Sequence, residues 1–232
     1  MKKLRSVWKV LVCALFTAVF VPFSSIRDAQ AEEVDAAAVP QQINLYDAFL
    51  EFPQPAWITG QIEQGDILDR SEFFKEQKGP QFILEQIPAG ESFARWTQLF
   101  AVVAEELDAG ASIPIGTFVD FSIATNQEAC AANRFAFQSL SVSENDAILL
   151  MVCGSTDHGP AEFGYGPGVG EISLWRFIVF ESTYLKLYQR WRGTAFDIDE
   201  NREVWPVADA GLKEMVRRLS GEVNVAPNPV RR

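Results

Sequence analysis

The chain of 232 residues carries a formal net charge of −11, with 31 Asp and Glu against 20 Lys and Arg and a single His. That balance excludes a general nucleic-acid binder, because a phosphate backbone is held by clustered Lys and Arg. At 48% apolar residues the chain is rich enough in core formers for one sizeable domain.

Residues 1–31 have the pattern of a secretory signal peptide. Lys2, Lys3, Arg5 and Lys9 give a positive start, Val10 to Phe23 is almost wholly apolar, and Ala29-Gln30-Ala31 offers a small-x-small cleavage site after Ala31. Thr17 and Pro22 interrupt the apolar run, which is short of the ~20 residues a bilayer span needs. Cys13 follows Val12 inside that run, which does not suit lipidation. The expectation is a periplasmic or secreted protein with no stable membrane insertion after cleavage. Two cysteines then remain, Cys130 and Cys153, and an even pair in an exported chain reads as a disulfide.

Residues 32–43 read as a flexible leader, 44–220 as one globular domain and 221–232 as a flexible tail. Phe73 to Gln77 and Gln81 to Ile87 flank the turn chemistry of Lys78-Gly79-Pro80 and predict a hairpin. Ser92, preceded by Glu91, reads as a helix cap, with Phe93, Trp96, Phe100, Val103 and Leu107 as a helical stripe ended by Gly110. Between Ser112 and Ala131, Ile115, Phe118, Val119 and Ile123 fit one helical face, and a helix is preferred over a strand.

Strands follow. RFAFQSLSV and DAILLMVCG flank Ser143-Glu144-Asn145, and EISLWRFIVF and TYLKLYQRWRG flank Glu181-Ser182. EISLWRFIVF is apolar on both faces, as a strand covered on two sides would be. VADAGLKEMVRRL, opening after Pro206, predicts a last helix with Leu212, Met215, Val216 and Leu219 inward. The expected fold is α+β: an N-terminal hairpin plus a four-stranded antiparallel meander, packed with two or three helices in a single domain. In the order of its elements, with ILEQIPAGESFARWTQLF read as a strand running through Pro-x-Gly into a helix, the chain resembles PsbP/Mog1-like domains. The resemblance implies an accessory or binding role and transfers no catalytic residue.

Three stretches invite chemistry. CGSTDHGPAEFGYGPGVGE, Cys153 to Glu171, sets His158 beside Asp157, Ser155 and Thr156. Chain neighbours rarely converge as nucleophile, base and orienting acid, and the glycines match no dinucleotide or phosphate loop. It reads as a mobile connection between strands. Asp197, Asp199, Asn201 and Glu203 alternate like early calcium-loop ligands. However, Arg202 stands where the turn glycine belongs and Ala208 where the bidentate glutamate belongs. No metal and no cofactor is expected.

The third stretch is TYLKLYQRWRG. As a strand it puts Leu185, Leu187 and Trp191 on one face and Tyr184, Lys186, Tyr188, Arg190 and Arg192 on the other. That second face can pair with a carboxylate or phosphate and stack on a ring. The alternative is a face covered by a helix or paired internally with neighbouring acids. The sequence therefore favours an exported binding or accessory domain whose partner is an envelope or secreted protein or a small anionic ligand. Two rivals stand beside it: a carboxylate-dependent cell-wall hydrolase with its cleft near His158, and a structural subunit of an envelope assembly.

Overall fold

The computed structural model describes residues 42–58, 66–108, 111–199 and 202–230. The predicted signal peptide lies outside the described residues, as do leader residues 32–41 and Asn201. The fold is α+β, with two antiparallel sheets.

Short strands β1 (Gln42–Leu45) and β2 (Ala48–Glu51) form a hairpin. A single helical turn, α1 (Asp66–Asp69), leads into β3 (Ser71–Lys78) and β4 (Gln81–Pro88), paired around Gly79-Pro80 as the turn chemistry predicts. Gly79 has φ +59°, a conformation that favours glycine. Next come β5 (Gln98–Glu106), α2 (Ile115–Ala129), β6 (Phe135–Val142), β7 (Asp146–Cys153), β8 (Val169–Phe180) and β9 (Thr183–Thr194). Helix α3 (Asp209–Gly221) and strand β10 (Asn224–Pro227) close the chain. The seven-stranded sheet runs β3-β4-β5-β9-β8-β7-β6, and the three-stranded one β1-β2-β10.

Both predicted hairpins of the meander form, as do the helices at 115–129 and 209–221. β8 is buried over most of its length on both faces, as its composition requires.

The helix expected from Ser92 to Leu107 is instead a loop followed by the central strand β5. Ser92 does not cap a helix; it bridges to Arg95. The sequence ILEQIPAGESFARWTQLF thus runs strand, loop, strand. Leu99 to Val102 are all buried because β5 is covered on both faces, so the period-2 signal vanishes and apolar residues fall at helical spacing by chance. The tail also differs. Asn224–Pro227 pairs with β2, and the Asn228 side chain donates to the Tyr46 carbonyl at 2.8 Å, so these residues belong to the fold.

The seven-stranded sheet buries two faces. On one, Phe100, Leu150, Ile172, Leu174, Leu185 and Leu187 pack with Leu212, Met215 and Leu219 of α3 and with Leu45 and Leu50 of the small sheet. Arg176 fastens α3 there, donating to Asp146 and to the Leu219 carbonyl at the helix end, where a cation is favoured. On the other face, Ala101, Leu149, Met151, Trp175, Phe177 and Tyr188 lie against Ile115 and Phe118 of α2. Each fully buried aliphatic or aromatic side chain contributes ~1.5–3 kcal/mol. Cys130, just past α2, is joined to Cys153 at the end of β7, with Cα atoms 5.8 Å apart. Closing that loop stabilises the fold by ~3.4 kcal/mol in the chain-entropy picture. No helix among the described residues is long and apolar enough to cross a membrane.

Candidate functional site

β9 splits its side chains as its alternation predicts. Leu185, Leu187 and Trp191 enter one core, together with the wholly buried Gln189, whose carbonyl oxygen accepts from the Ala56 amide at 3.0 Å. Tyr184, Lys186, Tyr188, Arg190 and Arg192 line the opposite face. That face is enclosed. Tyr184 is 3% exposed and exchanges hydrogen bonds with the main chain of Ile113. Lys186 lies 5.4 Å from the Phe118 ring of α2. The side chains of Arg190 and Arg192 are 14% and 6% exposed. Of the two readings of this face, the covered and internally paired one is what the structure shows.

The cover is the connection between β7 and β8. It folds back on itself around Thr156, whose hydroxyl bonds both the amide and the carbonyl of Gly166, and a 3₁₀ turn spans Ala161–Phe163. Gly164 then adopts φ +76°, and a Cβ there would stand 2.4 Å from the Ala94 carbonyl and 3.0 Å from the Arg192 guanidinium. Only glycine lets the chain pass so close. The fold-back delivers Tyr165 and the Phe163 carbonyl to the two arginines. The connection that the sequence reads as a loop between strands thus lies over β9 and bonds to its arginines.

The residues beneath form a compact charged box. Register places Glu171, in β8, opposite Arg192. Its carboxylate meets Arg190 Nη1 at 3.1 Å and Arg192 Nη2 at 3.4 Å while itself only 5% exposed. Arg190 Nη1 also donates to the Tyr165 hydroxyl at 2.9 Å, and Nη2 to Asn126 Oδ1 of α2 at 3.4 Å. Arg192 Nη1 donates to the Phe163 carbonyl at 2.9 Å. Rings complete the walls. The Arg192 guanidinium carbon is 3.5 Å from the centre of Trp96 and 4.4 Å from Tyr165, and that of Arg190 is 4.8–4.9 Å from Tyr188 and Trp175. Desolvated contacts of this kind are worth ~2 kcal/mol each.

The Nε groups of both arginines are buried without a hydrogen-bond partner. Burial opposes the Arg190 charge, yet Glu171 and the surrounding oxygens outweigh it and raise its pKa. For Arg192 burial wins over the same carboxylate and the pKa falls. The two cations compete for one anion, and Arg192 is the less compensated. Glu85, on β4, accepts from the Tyr188 hydroxyl at 3.3 Å. Burial pushes its pKa up despite the attraction of Arg190, so it is a reluctant second anion.

The other sequence candidates stay apart from this box. His158 is exposed, its amide donating to the Ala129 carbonyl, and Ser155 donates to Asp157 instead of facing the imidazole. Asp197 pairs with Arg134 at 3.6 Å and accepts from the Asp199 amide. Among the described residues no group of three His, Cys, Asp or Glu side chains could hold a metal ion. Tyr165, Glu85 and Glu171 were not picked out from sequence as site residues, and Trp96 was placed on a helical stripe. One of them was within reach: a two-residue turn at Glu181-Ser182 fixes the register that sets Glu171 across from Arg192.

No protein-family model, curated protein or solved structure matches the chain. The functional reading rests on the side chains themselves.

Proposed function

We propose that this is an exported binding domain that takes a small anionic ligand, a carboxylate or phosphate bearing a planar ring, between Arg190 and Arg192. The observation that carries the reading is the pair of buried guanidiniums that share one carboxylate inside an aromatic box, each keeping a partnerless Nε. A guanidinium presents a planar fork of donors matched to two oxygens, and the rings accept a flat ligand body. Tyr165 and the Phe163 carbonyl now use donors that such a ligand would take. Entry therefore requires the Gly154–Gly168 connection to lift. Export is supported by the signal-peptide pattern of residues 1–31 and by the Cys130–Cys153 disulfide, a bond at home in an oxidising compartment.

Thermal denaturation with benzoate and phenyl phosphate, against acetate and inorganic phosphate as ring-free controls, tests this. A ligand that binds only the native state raises the Tm, and the ring-bearing anions are expected to raise it more. Arg192→Gln should abolish the shift while leaving a folded protein. Equal shifts in wild type and variant, or none with any anion, would remove the site from the account.

A further inference from the structure

Two stretches that invited chemistry in the sequence meet in space: the start of the Gly154–Gly168 connection and the acidic segment after β9. With the turn that follows α2 they enclose an open cavity of about 470 Å³, within the ~300–1,000 Å³ range of small-molecule sites. Its frame is main chain. Gly154 joins the other two segments, its amide donating to the Arg134 carbonyl at 2.8 Å and its carbonyl accepting from the Phe196 amide at 2.9 Å. A Cβ there would stand 2.4 Å from the Phe196 carbonyl. The Ala131 amide donates to the Ser155 carbonyl at 2.8 Å, and the Cys130–Cys153 disulfide is next in the chain to both Ala131 and Gly154. The cavity is thus held in shape before any ligand arrives.

The charged side chains lining it are Arg134, Asp157 and Asp197. Arg134 Nη1 donates to the Phe196 carbonyl at 2.9 Å and stands 3.6 Å from Asp197 Oδ2. A charge-assisted hydrogen bond is ~2.7–2.9 Å long, so this pair is only loosely closed. Its two side chains are 41% and 45% exposed. Asp157 is held through Oδ1 by the Ser155 hydroxyl. Nε and Nη2 of Arg134 and Oδ2 of Asp157 have no hydrogen-bond partner among the described residues.

We propose that this cavity binds a free α-amino acid, its carboxylate on Arg134, its ammonium on Asp157 and Asp197, and its side chain against Ala131 and Ala195. Charge selects the occupant. A simple anion would meet two carboxylates in a chain of net charge −11, and a metal ion would meet the guanidinium. A zwitterion satisfies both signs. Spacing selects the α isomer: an α-amino acid carries both charges on one carbon, so it can replace the 3.6 Å pair of Arg134 and Asp197 with two direct contacts. This site is separate from Arg190 and Arg192 and stands or falls without them.

In an amide NMR titration, L-leucine should move the Ala131, Ser155 and Asp197 signals of the wild type and saturate below ~10 mM. N-acetyl-L-leucine lacks the ammonium and L-leucinamide the carboxylate, and each should bind ~10-fold more weakly. 4-Aminobutyrate, a zwitterion with its charges far apart, should be weaker too. Asp157→Asn should weaken leucine about 3-fold, as the loss of one exposed charge pair implies. Arg134→Gln should abolish the shifts, with the amide spectrum elsewhere unchanged. Signals that stay in place through ~50 mM leucine overturn the proposal. Equal binding of leucine and its two blocked analogues does so as well, and so does an Asp157→Asn variant that binds leucine as the wild type does.

Discussion

Arg192 is nearly buried, touches two rings and shares its carboxylate with Arg190. Near that pair, Glu85 and Lys186 have pKa values displaced toward their neutral forms. Glu85 has its pKa raised, first by burial. The folded protein therefore binds that proton more tightly than the unfolded chain. The associated stability is present below the ordinary carboxylate range and is lost as pH rises through the raised value. Glu85→Gln, which mimics the protonated form, should raise the Tm at pH 7, and the two melting curves should converge below about pH 4. A constant difference across that range would contradict the assignment. Lys186 is the converse case, its pKa lowered chiefly by burial beneath α2. Lys186→Met should melt higher than wild type at pH 7, with the gap narrowing toward pH 10 as the wild-type ammonium loses its proton. Gly164→Ala forces a side chain into a left-handed backbone and against the Ala94 carbonyl. It should cost roughly 1–3 kcal/mol in chemical denaturation and strengthen anion binding, since the Phe163 carbonyl and Tyr165 no longer compete for the arginine donors.

Among the elements, the strands paired with a chain neighbour through a short turn were the ones legible in the sequence. β3–β4, β6–β7 and β8–β9 are local hairpins whose turns are written in the chain, and α3 shows its inward stripe of Leu212, Met215 and Leu219 plainly. β5 was not legible. Leu99-Phe100-Ala101-Val102 is apolar throughout because both its faces are covered, and such a run carries neither period. β10 was missed for the opposite reason: Asn224–Pro227 has too little apolar character to declare a strand and is one only because β2 supplies the partner. The difference is measurable. Deleting residues 223–232 should lower the Tm by several degrees, because it uncovers β2, whose Leu50 is wholly buried, and removes the Asn228 bond to Tyr46. A tail outside the fold would leave the Tm unchanged. The alternation of β9 gave the membership of its cationic face correctly. Its enclosure matches the alternative read from the sequence, a face covered by a helix and paired internally with an acid, but the covering Gly154–Gly168 connection was not foreseen.

For the whole molecule, an acidic chain encloses Arg190 and Arg192 beneath one connection and pins the neighbouring helix with a disulfide. The proposed export makes a prediction of its own: the protein recovered from its host should begin at Glu32 and carry Cys130 and Cys153 oxidised, which peptide mass mapping would show. The claim on which the function depends is narrower. It is that the two buried guanidiniums accept an external anion. Nuclear magnetic resonance of the arginine Nε–H groups reads this directly, with the signals assigned through Arg190→Lys and Arg192→Lys. On titration with phenyl phosphate both resonances should move and saturate together below ~1 mM, as the partnerless Nε donors find an acceptor. Two resonances that stay in place through ~10 mM ligand would mean that the arginines serve only Glu171 and the fold.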